Sequence, residues 1–291
     1  MGYVAVSTDA GSSNVMGRRD IMIALRGTLK SEEWEINAMA MLVSASKILG
    51  SPNGVDPLVH FGWYSLYTTA EEGSNFNSIS CRDQILDEIR KLVYAYKDEE
   101  ISITVTGYSL GAVLATLTAT DIVANGYNKL AGRPEKACLV TAFAFASPRL
   151  GDEGFGKVFS GLSDSLRVLR IRNLKDPIPK LPPATPTFPY IEVGEELAVD
   201  ANQSPYYKQD SSQFHNLEVY LHTIAGAHGP QGQGEFKLEV KRDIALMNKS
   251  ADAVKGEYLV VPNWWAAKNM SMVQRDDGSW VLMDHERDDD D

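Results

Sequence analysis

The stretch Ile101-Ser102-Ile103-Thr104-Val105-Thr106-Gly107-Tyr108-Ser109-Leu110-Gly111-Ala112-Val113-Leu114 changes character in its middle. Its opening is short, apolar and β-branched, which is the composition of a buried strand. From position 112 to 124 Ala and Leu dominate, as in a helix packed closely on a sheet. Between the two stands Gly107-x-Ser109-x-Gly111. A strand that reverses so sharply into a helix forces the middle serine into a strained backbone, and side chains two residues away on either side would collide. Glycine at both positions removes that collision. The same spacing also occurs in ordinary glycine-lined turns; the strand before it and the helix after it are what give it a mechanism. Ser109 is therefore the candidate nucleophile.

Working outward, residues 20–25 form an apolar run suited to a buried strand, ending at Arg26-Gly27-Thr28. Residues 31 to about 49 read as a helix stopped by Gly50, and Ile85, Leu86, Ile89, Leu92, Val93 and Tyr96 mark an amphipathic helix. Two further buried strands are expected at 138–145 and 166–171. Strands alternating with helices predict an α/β fold with a mostly parallel, doubly wound sheet. Prolines between 177 and 189 predict an irregular loop, and 190–199 reads as a hairpin. After a glycine-rich break at 229–234, a helix is expected over 236–254 and a last hairpin around Asp276-Asp277-Gly278-Ser279. This divides the chain into a catalytic core at 1–228, an extension packed on it at 229–284, and an acidic, disordered tail at 285–291.

A serine hydroxyl needs an imidazole to accept its proton and a carboxylate to orient the imidazole. For this strand-turn-helix arrangement the partners follow in the order Ser, Asp, His. Asp176, in Arg172-Asn173-Leu174-Lys175-Asp176-Pro177, follows a predicted strand and can be presented at the same sheet edge. Of the five histidines, at 60, 215, 222, 228 and 285, the candidates for the base are His215 and His222, whose seven-residue spacing would place both on one helix face. His215 follows a polar loop and is the better choice; His222 sits in an apolar segment where a packed histidine is commoner. His228 reads as a loop residue, and His60 to Trp63 as core. Oxyanion donors are expected from the backbone N–H of Leu110 and from Arg26-Gly27-Thr28, where Thr28 can add its hydroxyl. The segment 29–43 mixes Trp34, Ile36, Met39, Met41 and Leu42 with three glutamates. It reads either as a lid that meets a lipid surface through Trp34 or as a plain amphipathic helix.

The chain has 291 residues, 44% of them hydrophobic, and a net charge of −11. That field repels phosphates and argues against a nucleic-acid partner. No apolar stretch approaches the roughly 18 residues that a membrane-spanning helix requires. The start, Met1-Gly2-Tyr3-Val4, shows no basic segment followed by an apolar one, so a cytoplasmic location is expected, unless a targeting segment upstream has been removed. Cys81 and Cys138 are expected as reduced thiols.

In combination, Ile23-Ala24-Leu25-Arg26-Gly27-Thr28, Glu33-Trp34, His60-Phe61-Gly62-Trp63, Gly107-Tyr108-Ser109-Leu110-Gly111, Arg172-Asn173-x-x-Asp176 and His215-Asn216-Leu217-Glu218 resemble the lipase class 3 family. Within it, the chain looks like the plant phospholipase A1 class II group, including Val240-Lys241-Arg242-Asp243-Ile244-Ala245-Leu246 and Pro262-x-Trp264-Trp265. The resemblance implies an α/β-hydrolase fold and metal-free, cofactor-free hydrolysis of glycerolipid acyl esters, chiefly at the sn-1 position. It also implies an N-terminal region preceding this chain. One position departs from the family pattern, which usually has histidine where this sequence has Tyr108. A carboxylesterase, a triacylglycerol or galactolipid lipase, and a catalytically silent interaction scaffold are the competing readings.

Overall fold

The computed structural model describes residues 1–8, 15–29, 40–130, 137–209, 211–228, 234–265 and 272–282. Trp34 and the acidic tail lie outside the described residues. The chain forms two compact units, Met1–Ile171 with Ile178–Glu196, and Arg172–Pro177 with Leu197–Asp291.

In chain order the first unit holds β1 (Gly2–Val6), β2 (Arg19–Leu25), β3 (Leu42–Ser44), α1 (Ser46–Leu49), β4 (Leu58–His60), α2 (Phe61–Thr68), α3 (Cys81–Ala95), β5 (Ile101–Tyr108), α4 (Leu110–Ala124), β6 (Leu139–Phe145) and α5 (Glu153–Ser160). Strands β7 (Leu166–Asn173) and β8 (Glu195–Val199) begin in it and end in the second unit. The sheet order is β1-β2-β5-β6-β7-β8. β1 is antiparallel to β2, whereas β2, β5, β6 and β7 run parallel. This is the mostly parallel sheet of an α/β-hydrolase fold, as the sequence predicts.

Alternation explains the sheet: Ile21, Ile23 and Leu25 of β2 and Ile103 and Val105 of β5 are buried while their neighbours are less so. Each such side chain contributes about 1.5–3 kcal/mol on full burial. α3 is amphipathic, burying Ile85, Leu86, Ile89 and Val93, and Ser80 caps it by accepting the Asp83 N–H at 3.1 Å. α4 is different, because every residue from Leu110 to Val123 is buried. Three of its polar side chains, Thr116, Thr120 and Asp121, find partners inside the protein. Thr116 and Thr120 donate to the carbonyls four residues back, at 3.1 and 2.8 Å. The Asp121 carboxylate accepts from Arg82 Nε at 2.6 Å, Tyr67 OH at 2.9 Å and Asn125 Nδ2 at 2.6 Å. Removing one partner of such a buried pair typically costs about 3–5 kcal/mol.

The second unit contains α6 (Leu217–Gly226) and the hairpin β9 (Met272–Gln274) with β10 (Trp280–Leu282), which is the hairpin predicted around Asp277. A small core of Ala201, Tyr207, Val219, Met247, Ala251, Ala253 and Val254 holds it together. Residues 197–228 thus pack with the segment after 234, where the sequence reading set a boundary at 228. Among the described residues no helix is long and apolar enough to cross a membrane.

Three local expectations fail for physical reasons. The helix over 31–49 is reduced, in its described part, to the four residues of α1, because Leu42–Ser44 pair antiparallel with Leu58–His60 and the non-local ladder overrides local propensity. The hairpin over 190–199 is a single strand, β8, with Ile191 bridging instead to Gly151. The helix over 236–254 is only a 3-10 turn at Ile244–Asn248. There Asp243 accepts the Ala245 N–H, and buried Asn248 accepts the N–H groups of Ala253 and Val254, offering the backbone an alternative to helix.

Candidate active site

Ser109 joins β5 to α4 with φ 55° and ψ −120°. That conformation costs a non-glycine residue on the order of 1–3 kcal/mol and persists only where its surroundings enforce it. The enforcement is visible. The Ser109 N–H donates to the Phe145 carbonyl at 2.9 Å, and its own carbonyl accepts the Ala112 N–H at 2.9 Å. A Cβ on Gly107 would lie 2.2 Å from the Gly111 carbonyl oxygen, and one on Gly111 would lie 2.2 Å from that of Leu25. Glycine at both positions is thus a steric requirement, as the sequence reading argued, and at Gly111 the collision partner is β2 rather than the turn itself.

The register carries the oxyanion candidates to the same place. Leu25, the end of β2, is paired with Gly107, so Arg26, Gly27 and Thr28 leave the sheet beside the serine turn. Gly27 lies against Tyr108: a Cβ there would be 3.1 Å from Tyr108 Cδ1. Glycine at 27 therefore gives room to the aromatic ring that replaces the family's usual histidine. Leu110 is the first residue of α4, where backbone N–H groups lack acceptors within the helix and the helix dipole favours negative charge.

The carboxylate and imidazole candidates belong to the second unit. Asp176 is fully buried and follows β7 by three residues. Its Oδ2 accepts from His215 Nδ1 at 2.7 Å and from the Tyr220 hydroxyl at 2.7 Å. Tyr220, buried in α6, also accepts the Asn173 N–H at 3.0 Å. The Asn173 side chain spans the loops, donating to the Phe214 carbonyl at 3.2 Å and accepting the Ala201 N–H at 3.3 Å. His215 precedes the helix rather than sharing its face, because Asn216 is the N-cap and accepts the N–H groups of Glu218 and Val219. The imidazole is thereby placed on the loop, its Nδ1 anchored to Asp176.

His222 has different surroundings. It is buried in α6, its Nε2 lies 2.8 Å from Ser204 Oγ, and its ring packs on Phe236 and Tyr206. Burial, reinforced by Arg242, pushes its pKa down to about 4. His228 is a loop residue whose Nε2 lies 2.7 Å from the Lys237 carbonyl. His60 and Trp63 are core, stacked at 3.7 Å between ring centroids. Tyr220 was not singled out in the sequence, and Asn173 entered only as part of the Arg172-Asn173-x-x-Asp176 resemblance. The signal for Tyr220 was a tyrosine in an apolar helical run, since a buried phenol requires a partner. Among the described residues no group of three or more His, Cys, Asp or Glu side chains could hold a metal ion.

A strained serine between glycines, an N–H-rich helix start, and a histidine held by a buried aspartate are the parts of a serine hydrolase. Residues 22–185 match the family described as lipase (class 3), and the chain belongs to that family. It is 51% identical to phospholipase A1-IIgamma of Arabidopsis thaliana, covering 99% of this chain and 68% of that protein. It is 50% identical to phospholipase A1-II 6 of Oryza sativa subsp. japonica, covering 100% and 70%. Among solved structures, a triacylglycerol lipase from Penicillium expansum superimposes with a TM-score of 0.49 at 17% identity, over 69% of this chain and 65% of that one. The chain thus spans less than two thirds of that lipase.

Proposed function

We propose that this chain is a serine acylhydrolase that releases the sn-1 acyl chain of glycerophospholipids, with Ser109, His215 and Asp176 as its triad. The observation that carries the reading is the enforced backbone of Ser109, which nothing in the packing of a plain turn would require. The phospholipid substrate is supported by the phospholipase A1 names of relatives half identical to this chain.

Ser109 Oγ attacks the ester carbonyl carbon while His215 takes its proton, and the N–H of Leu110 with Thr28 stabilises the oxyanion. His215 then gives that proton to the departing lysophospholipid oxygen. Water, deprotonated by His215, attacks the acyl-serine; the acyl–Oγ bond breaks, His215 returns the proton to Ser109 Oγ, and the fatty acid leaves. Asp176 holds the Nδ1 proton throughout and stabilises the imidazolium, a role that the 2.7 Å contact fits. Trp34 acts at the lipid surface. The protein contacts membranes peripherally, and its location in the cell is cytoplasmic.

The test joins labelling by an alkyl fluorophosphonate to hydrolysis of a phospholipid whose two acyl chains are distinguishable. Wild type should label and release the sn-1 chain, and Ser109→Ala should do neither while staying folded. Hydrolysis by Ser109→Ala would sink the assignment. Release of the sn-2 chain, or activity confined to triacylglycerol or galactolipid, would keep the nucleophile and move the substrate.

A further inference from the structure

Residues 258–265 of the second unit, Tyr-Leu-Val-Val-Pro-Asn-Trp-Trp, carry no charge. Such a run is normally buried. Trp264 is, with its ring 4.6 Å from that of Trp280 and its Nε1 donating to the Ala245 carbonyl at 2.8 Å. Its neighbours are not. Leu259 is 86% exposed and Trp265 63% exposed, with Pro262 exposed between them.

The exposure is built in. Leu259 has φ 54°, a left-handed backbone that disfavours bulky side chains, and Asn263 has φ 53°. The loop is braced from below. Asn248 Nδ2 donates to the Val260 carbonyl at 3.0 Å, the Asn263 N–H to Ala251 at 2.9 Å and the Trp265 N–H to Lys249 at 3.0 Å. Large apolar side chains are thus held out in water on a fixed frame.

What could cover them is indicated by the charges around them. Lys249 places its ammonium 4.6 Å from the centroid of the Trp265 ring, and Lys255 opens the turn that displays Leu259. Of the acidic groups nearby, Asp252 is paired with Lys208 at 2.7 Å, while Glu257 is exposed. A tryptophan under an ammonium, beside a protruding leucine, is the composition that settles at the boundary between headgroups and acyl chains. The protein's net charge of −11 opposes approach to an anionic surface, so a locally basic apolar loop has a specific task.

We infer that the loop bearing Leu259 and Trp265, flanked by Lys249 and Lys255, docks this protein on an anionic phospholipid surface. It is separate in sequence from the segment 29–43 that carries Trp34. The choice of phospholipid as partner rests on the activity proposed above.

The experiment measures sedimentation with vesicles of phosphatidylcholine, with and without phosphatidylglycerol, in the Ser109→Ala background so that no turnover intervenes. Leu259→Ser with Trp265→Ser should weaken binding about tenfold or more. The same pair in the active protein should leave hydrolysis of a soluble short-chain ester unchanged. Lys249→Glu should weaken binding only where phosphatidylglycerol is present. Should the double variant fail to fold, quenching of tryptophan fluorescence by bromolipid vesicles still reads the contact, and Trp265→Phe should remove part of that quenching. Unchanged binding, bromolipid quenching indifferent to Trp265→Phe, or a protein dimer that the double variant dissociates would each overturn the inference. Absence of esterase activity in wild type would instead remove the proposed function, leaving vesicle binding to be judged by itself.

Discussion

Replacing Tyr220 by Phe deletes one oxygen and keeps the shape of a fully buried ring. That oxygen donates to Asp176 Oδ2 at 2.7 Å and accepts the Asn173 N–H at 3.0 Å. A hydrogen bond to a buried carboxylate is worth about 1.5–3 kcal/mol, and a buried N–H deprived of its acceptor costs about 1–3 kcal/mol. The variant should therefore be destabilised by about 2–4 kcal/mol, relaxation absorbing part of the sum. His215 keeps its bond to Asp176, but the carboxylate loses a donor that helps to hold its rotamer. The kcat should fall about tenfold to a hundredfold, as when a group that orients a catalytic partner is removed, with KM nearly unchanged. Asp176→Asn calibrates the scale, since presenting the wrong tautomer of the imidazole should cost about 10⁴. Urea unfolding and steady-state hydrolysis of a soluble ester are the assays. A Tyr220→Phe variant with kcat within twofold of wild type and an unchanged unfolding midpoint would refute the network.

His215→Ala should lose about three to six orders of magnitude in rate, while His222→Ala loses about tenfold to a hundredfold; the reverse ranking would make His222 the base. Because His222 stays neutral in the folded protein down to about pH 4 and protonates near 6.5 once unfolded, the unfolded state binds the extra proton between those values. Its contribution to stability is whole above the upper value and falls as pH drops through the window, by about 3 kcal/mol in all. Urea midpoints from pH 7 to 4.5 should show a slope that His222→Gln flattens, and an equal slope in both proteins would contradict the assignment. Gly111→Ala, whose Cβ would lie 2.2 Å from the Leu25 carbonyl oxygen, should cost at least about 2 kcal/mol and abolish fluorophosphonate labelling. Normal labelling would show that the serine turn tolerates a displaced β2.

The sequence was most readable where local pattern and global packing agree. The β-branched run before Ser109 and the small apolar residues after it are a strand and a helix in the structure, and alternation in β2 marks its buried face. It was least readable where a distant partner determines the outcome. Nothing within residues 42–44 announces that they pair with 58–60, and nothing within 190–199 shows that Ile191 bridges to Gly151. The helix expected over 236–254 fails because the capping roles of Asn248 and Asp243 appear only once the backbone folds over them. For the candidate site, chain order and loop chemistry pointed to Asp176 and His215, which the structure places in contact, whereas Tyr220 required knowing which way α6 faces. The seven-residue spacing of His215 and His222 misled because the helix starts at Leu217.

The helix that follows Ser109 is enclosed on every side, down to a charge clamp at Asp121 near its far end. A library of random variants would accordingly record residues 110–123 as a block of near-total intolerance, indistinguishable by activity alone from a row of catalytic residues. Thr118 and Ile122 would score with Ser109 because both are fully buried. Soluble yield separates the two kinds of loss: an inert but well-expressed variant points to reaction chemistry, while an absent one points to a helix with no room to change.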